Sequence, residues 1–233
     1  MKRFYKIAAA EPAADGWTVT LDGRPIRTPA KAAFIAPNEG TAAAAATEWM
    51  VQEDVVKPAE MPITRSVNTA IDRTGPEFDQ VAEMVAAYGG SDLLCYRAVG
   101  PEALTARQAA AWEPLLAWAE TTFGSRLVAT TGVMHVEQPA GSLTRLTEAV
   151  RGFDPYALTA LYDLVALSGS LIIGLGVAEG RLNAATGWQV SRIDETWQEE
   201  MWGVDADAAA LAARKAGEFA AAARFIDLLR GSS

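Results

Sequence analysis

The residue types that most often carry enzyme chemistry are scarce in this chain. His135 is its only histidine and Cys95 its only cysteine. A zinc site needs several histidine, cysteine or clustered carboxylate ligands, and a serine or cysteine hydrolase needs a nucleophile beside a base. The sequence contains no G-x-S-x-G stretch, the pattern that surrounds the nucleophile of many hydrolases. Because His135 alternates with apolar residues in VMHVE, we interpret it as a structural residue of a strand.

Two further patterns could carry chemistry. Gly174, Gly176 and Gly180 in GLGVAEG resemble a dinucleotide-binding loop, but that loop must follow a strand inside a βαβ unit. The preceding segment has a helical pattern, so we predict that these glycines let two helices approach closely. Paired carboxylates hydrolyse glycosides, yet a sequence cannot place two of them at the required separation. We predict a protein that is not an enzyme, with no catalytic residue, no cofactor and no metal ion; a carboxylate-dependent hydrolase of unknown substrate is the alternative.

The charge and hydropathy of the chain exclude two classes of partner. The 29 acidic residues outnumber the 20 lysines and arginines, which gives a net charge of −9. Nucleic-acid binding depends on basic residues that neutralise phosphates, and anionic membranes attract basic segments. The longest uncharged apolar stretch, Leu164 to Ala178, is shorter than the ~20 residues that a membrane-spanning helix needs. We therefore expect no nucleic-acid partner and no membrane insertion, and we interpret this stretch as a buried pair of helices.

The cysteine content and the first residues bear on the compartment. A single cysteine cannot form a disulfide within the chain, which suits a reducing compartment. The opening MKRFYKIAAAEPAADGW contains neither the apolar core of a signal peptide nor an arginine-rich amphipathic presequence. We therefore expect a cytoplasmic protein.

The first third of the chain has the alternating pattern of half-buried strands. In GWTVTLDGRPIRTP, Asp22-Gly23 predicts a hairpin turn because both residues tolerate positive φ. Further short strands are expected in RFYKIA and in AFIAP, and Asn38 is suited to cap a helix that reaches Gln52. These elements predict a small α/β domain with antiparallel strands over residues 1–75.

Helical periodicity dominates the rest of the chain. A long helical segment follows Pro101, and Pro114 is expected to kink it or to start a second segment. Later helices are predicted at about 141–152, 155–168, 170–179, 183–202 and 206–230. The fold class predicted is α+β, with a larger all-α domain over residues 76–233 and a boundary between residues 70 and 100.

The predicted helix 183–202 combines an apolar stripe with an acidic face. The stripe consists of Val190, Ile193, Trp197 and Met201. Off the stripe lie Asp194, Glu195, Gln198, Glu199 and Trp202. Glu195 and Glu199 are like charges at i and i+4, which mildly destabilises an isolated helix, and aromatic residues are enriched at interfaces. We interpret this second set as a docking surface for a protein; burial of both tryptophans in the core is the alternative.

A series of short motifs runs along nearly the whole chain. They are RFYK at 3–6, LDGRPIRTP at 21–29, Glu48-Trp49 with Gln52, MPIT at 61–64, TAID at 69–72, SDLLCYRA at 91–98, Gln108, Trp112, Pro114, Leu115 and Trp118, and SRIDETWQ at 191–198 with Trp202-Gly203. Each motif alone is weak, whereas their order and spacing are specific. Together they resemble the family of assembly chaperones that attend the alpha subunit in the catalytic sector of the F-type ATP synthase.

The resemblance implies two domains and a role without catalysis. The protein would bind the free alpha subunit and prevent its aggregation until a beta subunit takes the same surface. In eukaryotes the family works in the mitochondrial matrix, but this chain reaches RFYK almost at once, which indicates a bacterial, cytoplasmic form. A constitutive subunit of the finished complex is a third class of function. Some members carry His-Asp shortly after Trp-Gly; here Val204 to Asp207 contain no histidine, so no role of that histidine is carried over.

The resemblance also suggests roles for individual residues. Glu195 is the first client-binding candidate because it matches the acidic pair in the family motif, and the others are Asp194, Glu199, Gln198 and Trp202. The motif residues expected to be structural are Trp49, Glu48, Gln52, Trp112 and Asp92. Among them, we expect Trp49 to fix its helix by burial and Glu48 and Gln52 to be more exposed.

Overall fold

The computed structural model describes residues 2–231, and this part of the chain forms ten α-helices and five short strands. The strands are β1 (Ala8–Ala13), β2 (Gly16–Leu21), β3 (Arg24–Pro25), β4 (Tyr96–Arg97) and β5 (Thr130–Thr131). The helices are α1 (Glu39–Met50), α2 (Pro62–Thr69), α3 (Phe78–Ala86), α4 (Glu102–Phe123), α5 (Ala140–Arg151), α6 (Pro155–Ser168), α7 (Leu171–Ala178), α8 (Ala184–Ser191), α9 (Ile193–Trp202) and α10 (Ala206–Leu229). The predicted α+β class, with a small antiparallel sheet followed by helices, is confirmed.

The chain divides into two compact units. Unit 1 contains residues 1–78, 154–160 and 221–233, and unit 2 contains residues 79–153 and 161–220. The boundary predicted at residue 75 lies close to the first of these limits. The two later segments of unit 1 are not part of that prediction.

Unit 1 is built on a three-stranded antiparallel sheet in the order β1-β2-β3. Asp22 and Gly23 both have positive φ, so the predicted hairpin turn is confirmed. The Asp22 carboxylate accepts hydrogen bonds from the backbone N–H groups of Ile7 and Lys6, and these bonds lower its pKa. The strand expected in RFYKIA begins only at Ala8, because the backbone N–H groups of Lys6 and Ile7 bond to the Asp22 carboxylate and not to a neighbouring strand. AFIAP contributes isolated bridges and not a strand.

Helix α1 packs against this sheet. Asn38 caps it as predicted, since its side chain accepts a hydrogen bond of 2.8 Å from the backbone N–H of Thr41. Alanines on the inner face of α1 allow close packing against the strands. The largest fully buried side chains of this part of unit 1 are Phe34, Met61 and Ile63.

The core of unit 2 surrounds the buried helix α7. Every residue of α7 is buried, and it follows α6 after a turn at Gly169, which has a φ of +72°. A Cβ at Gly174 would collide with Val165 of α6. The predicted pair of helices is therefore confirmed, and the close approach predicted for the glycines is confirmed at Gly174.

Three predictions in this region need correction. Helix α4 runs unbroken from Glu102 to Phe123 with Pro114 inside it, so no second segment begins at the proline. The helix predicted at 183–202 is two helices, because the backbone of Arg192 leaves the helical region at φ −114° and ψ 18°. His135 is exposed and lies in an irregular segment rather than in a strand.

Candidate functional site

Glu48 lies inside unit 1, contrary to the expectation that it is exposed. Its carboxylate accepts hydrogen bonds from the backbone N–H groups of Ile63 at 2.7 Å and Thr64 at 2.8 Å. These N–H groups belong to the first turn of α2, where no helical carbonyl can reach them. The positive end of the helix dipole also favours a carboxylate there. Glu48 therefore fixes α2 to α1.

Gln52 is also buried, and the prediction of its exposure is wrong for a similar reason. Its side-chain oxygen accepts a hydrogen bond of 2.7 Å from the backbone N–H of Lys57, and its amide donates to the carbonyl of Glu48. The guanidinium of Arg3 donates to the backbone carbonyl of Gln52. Two of the recurrent motifs therefore join the beginning of the chain to the end of α1.

Trp49 is only partly buried, although it lies between these two residues. Its ring packs edge-on against Tyr5 with centroids 5.6 Å apart, and the Tyr5 hydroxyl donates a hydrogen bond to the Trp49 carbonyl. The expectation that Trp49 is less exposed than Glu48 and Gln52 is therefore wrong, whereas a packing role in this corner of unit 1 is supported.

Asp92 lies in the core of unit 2, with no exposed surface. Its carboxylate accepts hydrogen bonds from the Ser170 hydroxyl at 2.7 Å and from the backbone N–H groups of Ile172 and Leu94 at 3.0 Å each. Ser170 and Ile172 lie at the start of α7. Asp92 therefore ties the SDLLCYRA motif to the N-terminus of the buried helix.

Burial raises the pKa of Asp92 to about 6, while the hydrogen bonds from Ile172, Leu94 and Ser170 oppose that rise. A carboxyl group with a higher pKa in the folded than in the unfolded state binds more protons when folded. Its contribution to stability is therefore complete below about pH 4 and is lost as the pH rises towards 6.

We predict that Asp92→Asn removes this pH dependence. Between pH 4 and 6, the stability of the natural protein relative to the variant should fall by up to about 1.4 kcal/mol per pH unit. Urea unfolding of both proteins at several pH values measures the difference. A difference that is constant across this window would contradict the assignment.

Trp112 and Gln108 connect α4 to the last helices of unit 2. Trp112 is fully buried, and its indole N–H donates a hydrogen bond of 2.8 Å to the carbonyl of Val190 in α8. The buried Gln108 side chain accepts from the backbone N–H of Ala98 at 2.9 Å and donates to the carboxylate of Asp194 in α9. The expected structural role of Trp112 has a direct physical basis in these contacts.

The acidic face of α9 is largely paired within the chain. Arg192 lies 2.9 Å from Glu195 and 3.6 Å from Glu199, so one arginine offsets the like-charge repulsion that the sequence suggests. Asp194 is half-buried and bonded to Gln108. The spacing of these carboxylates therefore does not require a partner protein to explain it, although Glu195 and Gln198 remain exposed.

The apolar end of this face has no such partner. Trp202 is 79% exposed, and Met201, predicted as part of the buried stripe, is 54% exposed. Val204 and Leu211, which follow on the connection to α10 and on α10 itself, are also exposed. We call Met201, Trp202 and Val204, which are neighbours along the chain, the Trp202 surface. The exposure of Val204 and Leu211 was not predicted, because single apolar residues among alanines and aspartates give no periodic signal.

Carboxylates outnumber basic side chains around the Trp202 surface, where the arginines are Arg107 and Arg192. From residue 193 to residue 207 the sequence IDETWQEEMWGVDAD contains six carboxylates and no lysine or arginine. Glu200 is paired with Arg107 of α4 by two bonds of 2.9 Å, and Asp205 accepts from the backbone N–H of Ala208. The result is an exposed aromatic and aliphatic surface with an acidic surround.

Metal-ligand clusters and membrane-spanning helices are both absent from residues 2–231. No group of three or more histidine, cysteine, aspartate or glutamate side chains there is arranged to hold a metal ion. Among the helices of the same residues, none has both the length and the apolar character needed to cross a membrane.

Comparison with known proteins relates the whole chain to one family. The model of the ATP12 chaperone protein family matches residues 2–120. The crystal structure of Atp12 from Paracoccus denitrificans has a TM-score of 0.95 and 46% identity, with 98% of both chains covered. The structure of an aspartate-to-lysine mutant of that organism's Atp12p has a TM-score of 0.95 and 45% identity, again with 98% of both chains covered.

A third structure, the Atu1473 protein from Agrobacterium tumefaciens, has a TM-score of 0.94 and 40% identity. That match covers 98% of this chain and 86% of the other. The resemblance predicted from the order of the sequence motifs is confirmed, and the chain belongs to the ATP12 chaperone family.

Proposed function

We propose that this protein is a non-enzymatic chaperone for assembly of the F-type ATP synthase. It binds the free alpha subunit of the catalytic sector in the bacterial cytoplasm and keeps it from aggregating until a beta subunit replaces it. Membership in the ATP12 chaperone family carries this proposal. An unassembled subunit exposes the apolar surface that its neighbours later cover, and such surface aggregates.

The Trp202 surface is the client-binding surface in this proposal. A contiguous exposed tryptophan and methionine at a helix end fit the residue types that dominate binding energy at interfaces. The acidic surround favours a client surface with lysine or arginine at its rim, since complementary charges raise the rate of association. Among the acidic residues, Glu195 is still the first client-binding candidate because it is exposed. Asp194 is a weaker candidate because its carboxylate already accepts a hydrogen bond from Gln108.

The direct test of this function is light scattering by the alpha subunit diluted from denaturant. We expect equimolar chaperone to suppress the scattering without ATP, and added beta subunit to release the alpha subunit into a larger complex. Bovine serum albumin at the same mass concentration serves as the control. Unchanged scattering with excess chaperone, or suppression that requires ATP, would reject the proposal.

Two variants test the surface itself. Trp202→Ala should weaken capture of the alpha subunit by at least about tenfold, the effect of losing an interface hot spot. Glu195→Lys should weaken capture less, because rim charges mainly alter association rate and salt dependence. The free energy of unfolding of each variant should lie within about 0.5 kcal/mol of that of the natural protein, since both side chains are exposed.

The matched control for the charge reversal is Glu218→Lys, an exposed glutamate in the middle of α10. Pull-down of the alpha subunit, with circular dichroism melts for folding, measures all three variants. If the two surface variants are folded and capture the client as well as the Glu218 variant, the client binds elsewhere.

A further inference from the structure

A second group of exposed apolar side chains lies beside the only parallel strand pair in residues 2–231. Strand β4 pairs with β5 so that Arg97 is opposite Thr131. Next to this pair, Val99 is 83%, Val133 91% and Met134 76% exposed. We call Arg97, Val99, Val133 and Met134 the Arg97 surface. All of it belongs to unit 2.

The segment that carries Val133 and Met134 is attached to the β4 segment on both sides. The backbone N–H of Gly132 donates a hydrogen bond of 2.8 Å to the Arg97 carbonyl, and a Cβ at Gly132 would lie 3.7 Å from Val99. On the other side, the Tyr96 hydroxyl lies 3.1 Å from His135 Nδ1. Val133 and Met134 are therefore held close to Arg97 and Val99.

The base of the same segment is fixed as well. The buried Gln138 side chain accepts a hydrogen bond of 2.7 Å from the backbone N–H of Val128 and donates one of 2.9 Å to its carbonyl. The Gln138 amide thus forms with the Val128 backbone the two hydrogen bonds that a residue of a neighbouring strand would form. The apolar residues are presented by an anchored segment, which reduces the entropy that binding would cost.

Arg97 supplies a fixed positive charge at this surface. Its guanidinium lies over the Trp112 ring at 5.0 Å, and Nη1 is buried with no hydrogen-bond partner. Burial lowers the pKa of Arg97, and the nearby Glu113 acts in the opposite direction without forming an ion pair within residues 2–231. Cys95, the other titratable group near it, has its pKa raised by burial to about 12 and is a neutral thiol. The guanidinium is thus positioned but has no carboxylate of its own.

We propose that the Arg97 surface is a second client-docking site, which binds a segment of the alpha subunit that carries a carboxylate beside aliphatic side chains. The proposal rests on the proposed function. The half-buried guanidinium, whose Nη1 is buried, donates a charge-assisted hydrogen bond to a carboxylate through its other N–H groups, and Val99, Val133 and Met134 offer apolar contacts around it. In a chain with a net charge of −9, an acidic segment is repelled over most of the surface, so an unpaired arginine fixes where it binds.

The test uses the double variant Val133→Asp/Met134→Asp, whose side chains are too exposed to affect folding. It brings negative charge to the site and removes the apolar contacts. Capture of purified alpha subunit by the immobilised variant should be at least tenfold weaker than by the natural protein. Met84→Asp, an equally simple change of an exposed methionine on α3, is the control and should capture normally.

The variant Arg97→Met tests the charge of this surface separately, because loss of apolar contacts alone would not change how capture depends on salt concentration. Its capture of the alpha subunit should depend less on salt concentration than capture by the natural protein, because one charge pair is missing. The proposal is overturned if the double variant captures like the Met84 variant while the natural protein binds, which leaves the proposed function intact. Failure of the natural protein to bind the alpha subunit overturns both. A dimer of the natural protein that the double variant abolishes would identify the surface as a contact between two copies and overturn the proposal.

Discussion

Trp112→Ala is expected to lower the free energy of unfolding by about 3–5 kcal/mol. The side chain is fully buried against the last helices of unit 2, so its removal leaves a large cavity. It also leaves the Val190 carbonyl without its hydrogen bond and removes the ring under Arg97. A domain has only about 5–15 kcal/mol of stability in total, so a loss of this size unfolds a large fraction of molecules at moderate temperature.

The chain provides a matched control of the same residue type. Trp202→Ala removes an identical side chain from an exposed position and should change stability by no more than about 0.5 kcal/mol. Urea unfolding followed by far-UV circular dichroism compares the two variants. Equal losses of stability would contradict the assignment of Trp112 to the core and of Trp202 to the surface.

Glu48→Ala is expected to cost about 3 kcal/mol, because two backbone N–H groups at the start of α2 lose a charged acceptor inside the protein. Hydrogen bonds to charged groups contribute about 1.5–3 kcal/mol each, and water entering the space left by the side chain recovers part of that. Glu48→Gln should also destabilise, since its amide presents a donor to one of the two N–H groups.

The control for this prediction is Glu53→Ala, which removes an exposed glutamate just beyond the same helix. It should leave stability within about 0.5 kcal/mol. Hydrogen exchange at Ile63 and Thr64 adds a local readout, because both amides should exchange faster in the Glu48 variants. Protection of these amides that matches the natural protein would show that Glu48 does not cap α2.

Local signals in the sequence predicted the elements that depend on near neighbours. Asp22-Gly23 specifies its turn through positive φ at two adjacent residues, and Asn38 caps a helix through a bond to a residue three positions away. Helical periodicity also located the buried pair α6 and α7, because a long uncharged stretch with glycines has few other solutions. In each case the physical cause lies within a few residues of the signal.

The roles of Glu48 and Gln52 could not be predicted in this way. A glutamate and a glutamine near a helix end are ordinarily solvated, and the partners that bury Glu48 are 15 and 16 residues away. The break at Arg192 was missed because apolar residues keep their helical spacing across it. The segments 154–160 and 221–233 of unit 1 also return from distant parts of the chain, and no local pattern marks such a return.

The candidate site was predicted in part. Trp202 was identified from its residue type and its place beside Gly203 at a helix end, and the structure places it on the surface. The pairing of Glu195 and Glu199 with Arg192 was missed, since the change of direction after α8 sets the arginine against both carboxylates. The Arg97 surface was missed because its residues come from two segments about 35 positions apart in the chain, which only tertiary folding brings together.

A transient chaperone of the free alpha subunit should bind that subunit in the cell, before the catalytic sector is complete. The tagged protein is purified from its own cells under mild conditions, and its partners are identified by mass spectrometry and quantified. We expect recovery of the alpha subunit without stoichiometric beta subunit, and loss of that recovery in the Trp202→Ala variant. Recovery of the complete catalytic sector would instead indicate a constitutive subunit, and recovery of no ATP synthase subunit would contradict the proposed function.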